Sequence, residues 1–181
     1  MADFYQLHAL QMVSTPDVQA NLRNVDSILA DANLNPTDLV VLPECFACFG
    51  GSDKDQLEHA EAIGQGAIQD ELGRLALHYQ IWLVAGTLPT RTEDPARFAA
   101  TSLLIDPKGN MQAHYQKLHL FDVSVQDNTR HYQESRYTQA GEQVVVHPTP
   151  MGKVGMAVCY DLRFAGLFQA MGEIDILVLP S

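Results

Sequence analysis

No stretch of this chain stays apolar long enough to span a bilayer, and its first residues, Met1-Ala2-Asp3-Phe4-Tyr5-Gln6, lack the basic-then-apolar pattern of an export signal. Cysteine is scarce. Three in 181 residues, an odd count without an export signal, describe reduced thiols rather than a disulfide framework. Positive charge is scarce as well: 11 lysines and arginines face 22 acidic side chains, for a formal net charge of -11. Nothing supplies a basic stripe to neutralise phosphates, which argues against a nucleic-acid partner. Internal repeats, low-complexity tracts and domain linkers are missing too. Without an export signal or a bilayer-long apolar run, the expectation is a cytoplasmic protein without a membrane partner. The length and the 46% hydrophobic content suit one domain over residues 1–181.

What is present is an alternation of buried and amphipathic segments. Residues 7–13 read as a strand closed by Ser14-Thr15-Pro16, with Thr15 as the cap and Pro16 as the first position of a helix. Val18, Leu22, Val25, Ile28, Leu29 and Ala32 recur at three- and four-residue steps, one stripe to lay on a sheet, and Asn35-Pro36 ends that helix. Residues 39–42 suit a strand covered on both faces, which delivers Glu44 just past its C-terminal end. Beyond Gly50-Gly51, the positions Ile68, Leu72, Leu75, Ala76 and Tyr79 mark a second amphipathic helix, and residues 81–87 another buried strand.

The rhythm then changes to hairpins. Residues 100–105 and 111–115 flank a turn-rich connection, and residues 144–147 and 154–158 flank a second one. Between the two hairpins, residues 117–141 form a long polar connection without clean periodicity, of the kind that is often functional. A short helix over 164–172 and a strand over 174–179 follow. The expectation is an α/β fold with mixed sheets.

Cys159 follows the apolar run 154–158 and precedes a polar turn in which Asp161 is placed to cap the next helix. At such a strand-to-helix turn, backbone N–H groups and the positive helix end favour a thiolate. A cysteine among valines is otherwise a small core hydrophobe, so its companions decide. Three segments supply them: Leu42-Pro43-Glu44-Cys45-Phe46, Tyr115-Gln116-Lys117-Leu118-His119-Leu120-Phe121-Asp122 and Val158-Cys159-Tyr160-Asp161-Leu162-Arg163-Phe164. These resemble the three catalytic motifs of the nitrilase superfamily, the carbon–nitrogen hydrolases, in the same Glu, Lys, Cys order.

The resemblance covers the whole chain. It implies a nitrilase-type α-β-β-α sandwich, catalytic Glu44, Lys117 and Cys159, a small-molecule amide as substrate, no metal or organic cofactor, and a homodimer in full-length relatives. Glu134, in Tyr132-Gln133-Glu134-Ser135, resembles the family's second glutamate, which holds the lysine and positions substrate. The phrases around Lys117, Glu134 and Cys159 are most similar to the Nit branch, the deaminated glutathione amidases and omega-amidases. That implies hydrolysis of a linear amide of a small 2-oxo acid through a cysteine thioester. The residue types make chemical sense of it. An amide carbon is a poor electrophile, so the sulfur needs a base such as Glu44. The charge that develops on the carbonyl oxygen needs Lys117 and the Tyr160 backbone N–H.

Three features depart from this pattern or compete with it. Ala165-Gly166 stand where the family usually carries Pro-Glu, which loosens the start of the helix because glycine is a poor helix former. Relatives continue beyond a segment like the final Leu177-Val178-Leu179-Pro180-Ser181, so the resemblance implies a chain incomplete at its C-terminus. The alternative reading is then a remnant that keeps the site without turnover. Cys45 and Cys48 have Cys-x-x-Cys spacing, but zinc needs two further ligands and a redox motif should open a helix.

Overall fold

The computed structural model describes residues 5–52, 54–124 and 131–181. In chain order its elements are β1 (Leu7–Ala9), α1 (Val18–Asp31), β2 (Leu39–Val41), the single turn α2 (Asp55–Glu58), α3 (Ala67–Tyr79), β3 (Trp82–Arg91), β4 (Phe98–Ile105) and β5 (Met111–Gln116). There follow β6 (Asp122–Ser124), β7 (His131–Gln133), β8 (Val145–Thr149), β9 (Gly152–Met156), α4 (Ala165–Met171) and β10 (Ile176–Val178). Strands β1 to β5 form one sheet in sequence order, and β10, β9 and β8 form a second. Both are mixed: β1, β2 and β3 run parallel while β4 and β5 return antiparallel, and β9 pairs parallel with β10 but antiparallel with β8.

Strand periodicity assigns the layers. On β2 and β3, Val40, Leu83 and Ala85 face a core filled by Val18, Leu22, Val25 and Leu29 of α1 and by Ile68, Leu72 and Leu75 of α3. Their neighbours Leu39, Trp82 and Val84 point the other way, into a core shared with Val154 and Met156 of β9 and with Val158 just beyond it. The far side of the second sheet is covered by Leu167 and Met171 of α4, packed with Ala157. Helix, sheet, sheet, helix is the result. Each fully buried Val, Leu, Ile or Met side chain contributes about 1.5–3 kcal/mol of hydrophobic stabilisation.

Several boundaries differ from the sequence reading for local reasons. Helix α1 is capped by Asp17, whose carboxylate accepts from Ala20 N at 2.9 Å, not by Thr15 with Pro16 at its first position. Thr15 is drawn elsewhere: buried Asn21 accepts from its hydroxyl at 3.0 Å and donates to its carbonyl at 2.7 Å. The same helix stops at Asp31, ahead of Asn35-Pro36. The first strand ends at Ala9 because β2 offers a three-residue ladder. The connection 117–141 contains the ribbon β6–β7 and a 3-10 turn, Glu134–Arg136, while its residues 125–130 lie outside the described ones. Helix α4 begins at Ala165, where a side chain at Gly166 would meet nothing. No helix among the described residues is long and apolar enough to cross a membrane.

One irregularity bears on the site. The β3–β4 register shifts between Ala85 and Leu88, so Gly86 and Thr87 bulge out of the ladder. A Cβ at Gly86 would collide with the Pro43 carbonyl oxygen, so glycine is what lets the segment after β2 come this close.

Candidate active site

Lys117 leaves the end of β5 with its backbone still in the sheet, its N–H donating to Ala100 O at 2.9 Å and its carbonyl accepting from Gly141 N at 2.9 Å. Its side chain is 2% exposed, and such a burial demands partners. Two carboxylates supply them. Nζ donates to Glu44 Oε1 at 2.8 Å and to Glu134 Oε2 at 2.9 Å and Oε1 at 3.1 Å. Burial favours the neutral amine, but the charges of Glu44 and Glu134 outweigh it and hold the ammonium above the usual lysine range. Glu134, at the start of its 3-10 turn, is fixed in turn by Phe121 N, which donates to Oε2 at 2.6 Å.

Cys159 arrives from the second sheet. It opens the 3-10 turn Cys159–Arg163 with φ of 45°, a left-handed conformation uncommon for a side-chain-bearing residue and costing about 1–3 kcal/mol. Its own N–H donates to Pro180 O at 2.9 Å. The thiol lies against Glu44, within hydrogen-bonding reach. Burial first, then the Glu44 charge and that hydrogen bond, push its pKa up to about 11, with Lys117 pulling the other way. This overturns the expectation that the turn favours a thiolate. Burial and the Glu44 carboxylate together favour the neutral thiol, which leaves Cys159 protonated beside a base.

Asp161 also differs from its expected part as a cap. Helix α4 starts after Phe164 with no side-chain cap, and the Asp161 carboxylate points back into the core, fully buried. Oδ2 accepts from Tyr115 OH at 2.7 Å and Val158 N at 2.9 Å, while Oδ1 accepts from His119 N at 3.0 Å and sits 2.7 Å from His119 Nδ1. Asp161 therefore ties the strand bearing Lys117 to the turn bearing Cys159. Neither Tyr115 nor His119 had a part in the sequence reading. The signal, a tyrosine two residues before the lysine and a histidine two after, becomes meaningful only once Asp161 lies between them.

Tyr160 is half-buried, and its ring makes edge contacts with Phe121 (centroids 5.0 Å apart) and Phe164 (5.4 Å). Its N–H precedes the first bond of the 3-10 turn, Asp161 N to Val158 O at 3.0 Å, so it belongs to the free donors at a helical start. The Cys45 thiol is pushed up to about 12 by burial and then by Glu44, and buried Cys48 is raised by burial and then by Asp55. Neither is the low-pKa thiol that a redox pair uses. Among the described residues no group of three His, Cys, Asp or Glu side chains could hold a metal ion. A cavity of about 600 Å³ opens between the starts of α1 and α3, but it contains none of Glu44, Lys117, Glu134 or Cys159. The helix ends beside it are already satisfied by Asp17 and by Glu61, which accepts from Ile68 N at 2.7 Å.

Two sheets packed face to face between helices, with Glu44, Lys117, Glu134 and Cys159 meeting at one place, make this a nitrilase-type sandwich. The chain belongs to the carbon-nitrogen hydrolase family, whose sequence model matches residues 6–179. It is 37% identical over 175 residues to the deaminated glutathione amidase of Yersinia enterocolitica, an alignment covering 95% of this chain and 60% of that protein. The chain thus spans about three fifths of that relative's length. The crystal structure of the C. elegans NitFhit protein superposes with a TM-score of 0.83 at 30% identity, covering 98% of this chain and 45% of the other. A glutamate-to-glutamine mutant of the Nesterenkonia sp. AN1 amidase superposes with a TM-score of 0.79 at 26% identity, covering 97% and 64%. That structure shows covalent addition of the acetamide moiety of fluoroacetamide at its active-site cysteine.

Proposed function

We propose that this protein is an amidase that hydrolyses the linear C–N bond of a small 2-oxo acid amide, in the manner of the deaminated glutathione amidases, through a thioester on Cys159. The observation that carries the reading is the Lys117 ammonium, 2% exposed and held at 2.8 Å from Glu44 and 2.9 Å from Glu134, with the Cys159 thiol against the same Glu44 carboxylate. The sulfur starts neutral, so Glu44 takes its proton as the sulfur attacks the amide carbon. Charge then moves onto the carbonyl oxygen. An ammonium has three donors; two are directed at Glu44 and Glu134, and the third, with the Tyr160 N–H, meets that oxygen. As the C–N bond breaks, Glu44 passes its proton to the nitrogen and ammonia leaves. Water then gives a proton to Glu44 and its oxygen to the acyl carbon, the C–S bond breaks, and the returned proton restores the thiol as the acid departs.

Glu134 keeps the lysine charged and aimed. It lies beside the aromatic wall of Phe121, Tyr132 and Tyr160, which gives the acyl part of the substrate an apolar side. The test is ammonia release from 2-oxo acid amides of graded size, combined with mass spectrometry of protein quenched during turnover. An acyl adduct on Cys159 is expected; an adduct on Cys45, or no ammonia release from any of these amides, overturns the reading.

A further inference from the structure

The segment that delivers Glu44 has no regular structure of its own: β2 ends at Val41, and Cys45 takes a left-handed φ of 54°. A carboxylate on such a segment has no inherent reason to reach Lys117 and Cys159 within hydrogen-bonding distance. Both of its neighbours, however, are held by the same bulge of β3. On one side the Pro43 carbonyl fits against Gly86, where any Cβ would collide with it. On the other side Cys45 N donates to Thr87 Oγ1 at 2.7 Å, and the Thr87 hydroxyl is directed at Cys45 Sγ, 3.9 Å away. Thr87 is 2% exposed, so its hydroxyl is largely screened from solvent and its loss leaves the Cys45 amide poorly compensated.

We infer that Thr87 is a positioning residue for Glu44: its hydroxyl, set by the Gly86-Thr87 bulge, fixes the Cys45 amide and thereby the direction in which Glu44 leaves the chain toward Lys117 and Cys159. The geometry has an economical reason. A left-handed residue other than glycine relaxes toward extended or helical backbone when its N–H is released, and either change rotates the preceding carbonyl and swings the Glu44 side chain. A displacement of about 1 Å of a catalytic group costs about a hundredfold in rate. The Thr87 hydroxyl stands between that relaxation and the site. This inference rests on Glu44 acting on Cys159 as proposed above.

The experiment compares Thr87→Ser, Thr87→Ala and Thr87→Val with wild type and with Glu44→Gln, in the intact protein. Two quantities are read: kcat and KM for amide hydrolysis, and the pH profile of Cys159 alkylation by iodoacetamide, located by mass spectrometry. The serine variant keeps the hydroxyl and is expected near wild type. The alanine and valine variants are expected to lose about 10- to 100-fold in kcat with KM little changed, and to move the alkylation profile from wild type toward that of Glu44→Gln. Serine and alanine differ by the hydroxyl alone, so their comparison stands even where valine prevents folding. If serine behaves like alanine, or if alanine matches wild type in both readouts, Thr87 does not position Glu44. If Glu44→Gln leaves the alkylation profile where wild type has it, Glu44 does not act on Cys159 and the inference falls with the mechanism. If wild type releases no ammonia yet the Thr87 variants still move the profile, the amidase reading fails while the positioning role stands.

Discussion

The five-stranded sheet contributes Glu44 and Lys117 on segments tied to each other by charge, whereas the three-stranded sheet presents Cys159 on a turn tied by backbone hydrogen bonds. On the first side, Lys117 Nζ reaches Glu44 across 73 residues of sequence and Glu134 across 17, and side chains decide the geometry. On the second, the Cys159 amide is taken by Pro180 O and the turn is closed by Asp161 N to Val158 O. The difference teaches that the charged half can be dismantled one side chain at a time, while the nucleophile's half yields mainly to changes that disturb the backbone. Asp161 is the exception that joins them.

The sharpest break is Cys159→Ala. It removes the covalent step, and turnover is expected to fall by about a thousandfold or more with substrate binding retained, measured by ammonia release and by calorimetric titration. Next comes Lys117→Ala. Loss of the ammonium should lower kcat by about a hundred- to a thousandfold and, by leaving Glu44 and Glu134 facing each other without a cation, destabilise the fold by about 3–5 kcal/mol in denaturant unfolding. Lys117→Arg should not restore activity, since a planar fork does not replace a point charge here.

Glu44→Gln tests the two halves against each other. Turnover should drop by about a hundredfold because the base is gone. Yet the Cys159 thiol should titrate lower than in wild type, since the Glu44 charge, after burial, is one of the causes that raise it. A titration midpoint unmoved in this variant would separate the thiol from the carboxylate.

Asp161→Asn attacks the joint itself. It sets an amide N–H₂ among N–H and O–H donors, with an expected cost of about 2–3 kcal/mol in denaturant unfolding and a smaller loss of turnover. The smallest effect is expected outside the site, at Asp38 just before β2. Burial raises its pKa, but N–H bonds from Asn35 (2.8 Å) and Gln6 (3.2 Å) and the His8 ring (3.0 Å) outweigh that and hold it below the usual carboxylate value. Its contribution is therefore present above the unfolded pKa of about 3.9 and is lost as pH falls through the lower folded value. Asp38→Asn should flatten the acid limb of the stability curve in that window and leave the neutral region less affected.

Local pattern carried much of the fold into the sequence. The stripe Val18, Leu22, Val25, Leu29 and the run around Leu72 and Leu75 need nothing but helical periodicity, and each became a buried helix face. Lys117, Glu44 and Cys159 were legible as types in motifs, as was Glu134. Their meeting was not, because it depends on pairing between strands far apart in sequence. The β3–β4 bulge illustrates the limit: Gly86-Thr87 reads as continuous strand until the Pro43 carbonyl is found against it. Asp161 failed in the same way. A carboxylate in a turn looks like a cap, and two of its partners, Tyr115 and His119, lie 46 and 42 residues earlier. The neutral state of Cys159 escaped the sequence because the dipoles at a turn are local, whereas the burial and the carboxylate that raise its pKa come from packing against the other sheet.

The bond from the Cys159 amide to Pro180, together with Ala157 N to Val178 O at 3.0 Å, makes the segment carrying the sulfur a continuation of the β9–β10 ladder. The register of β10 against β9 therefore sets the backbone position of the nucleophile. The gap between Cys159 and Glu44 is thus set by strand registry as well as by charge, and distance becomes a second quantity that the pairing of β9 with β10 holds.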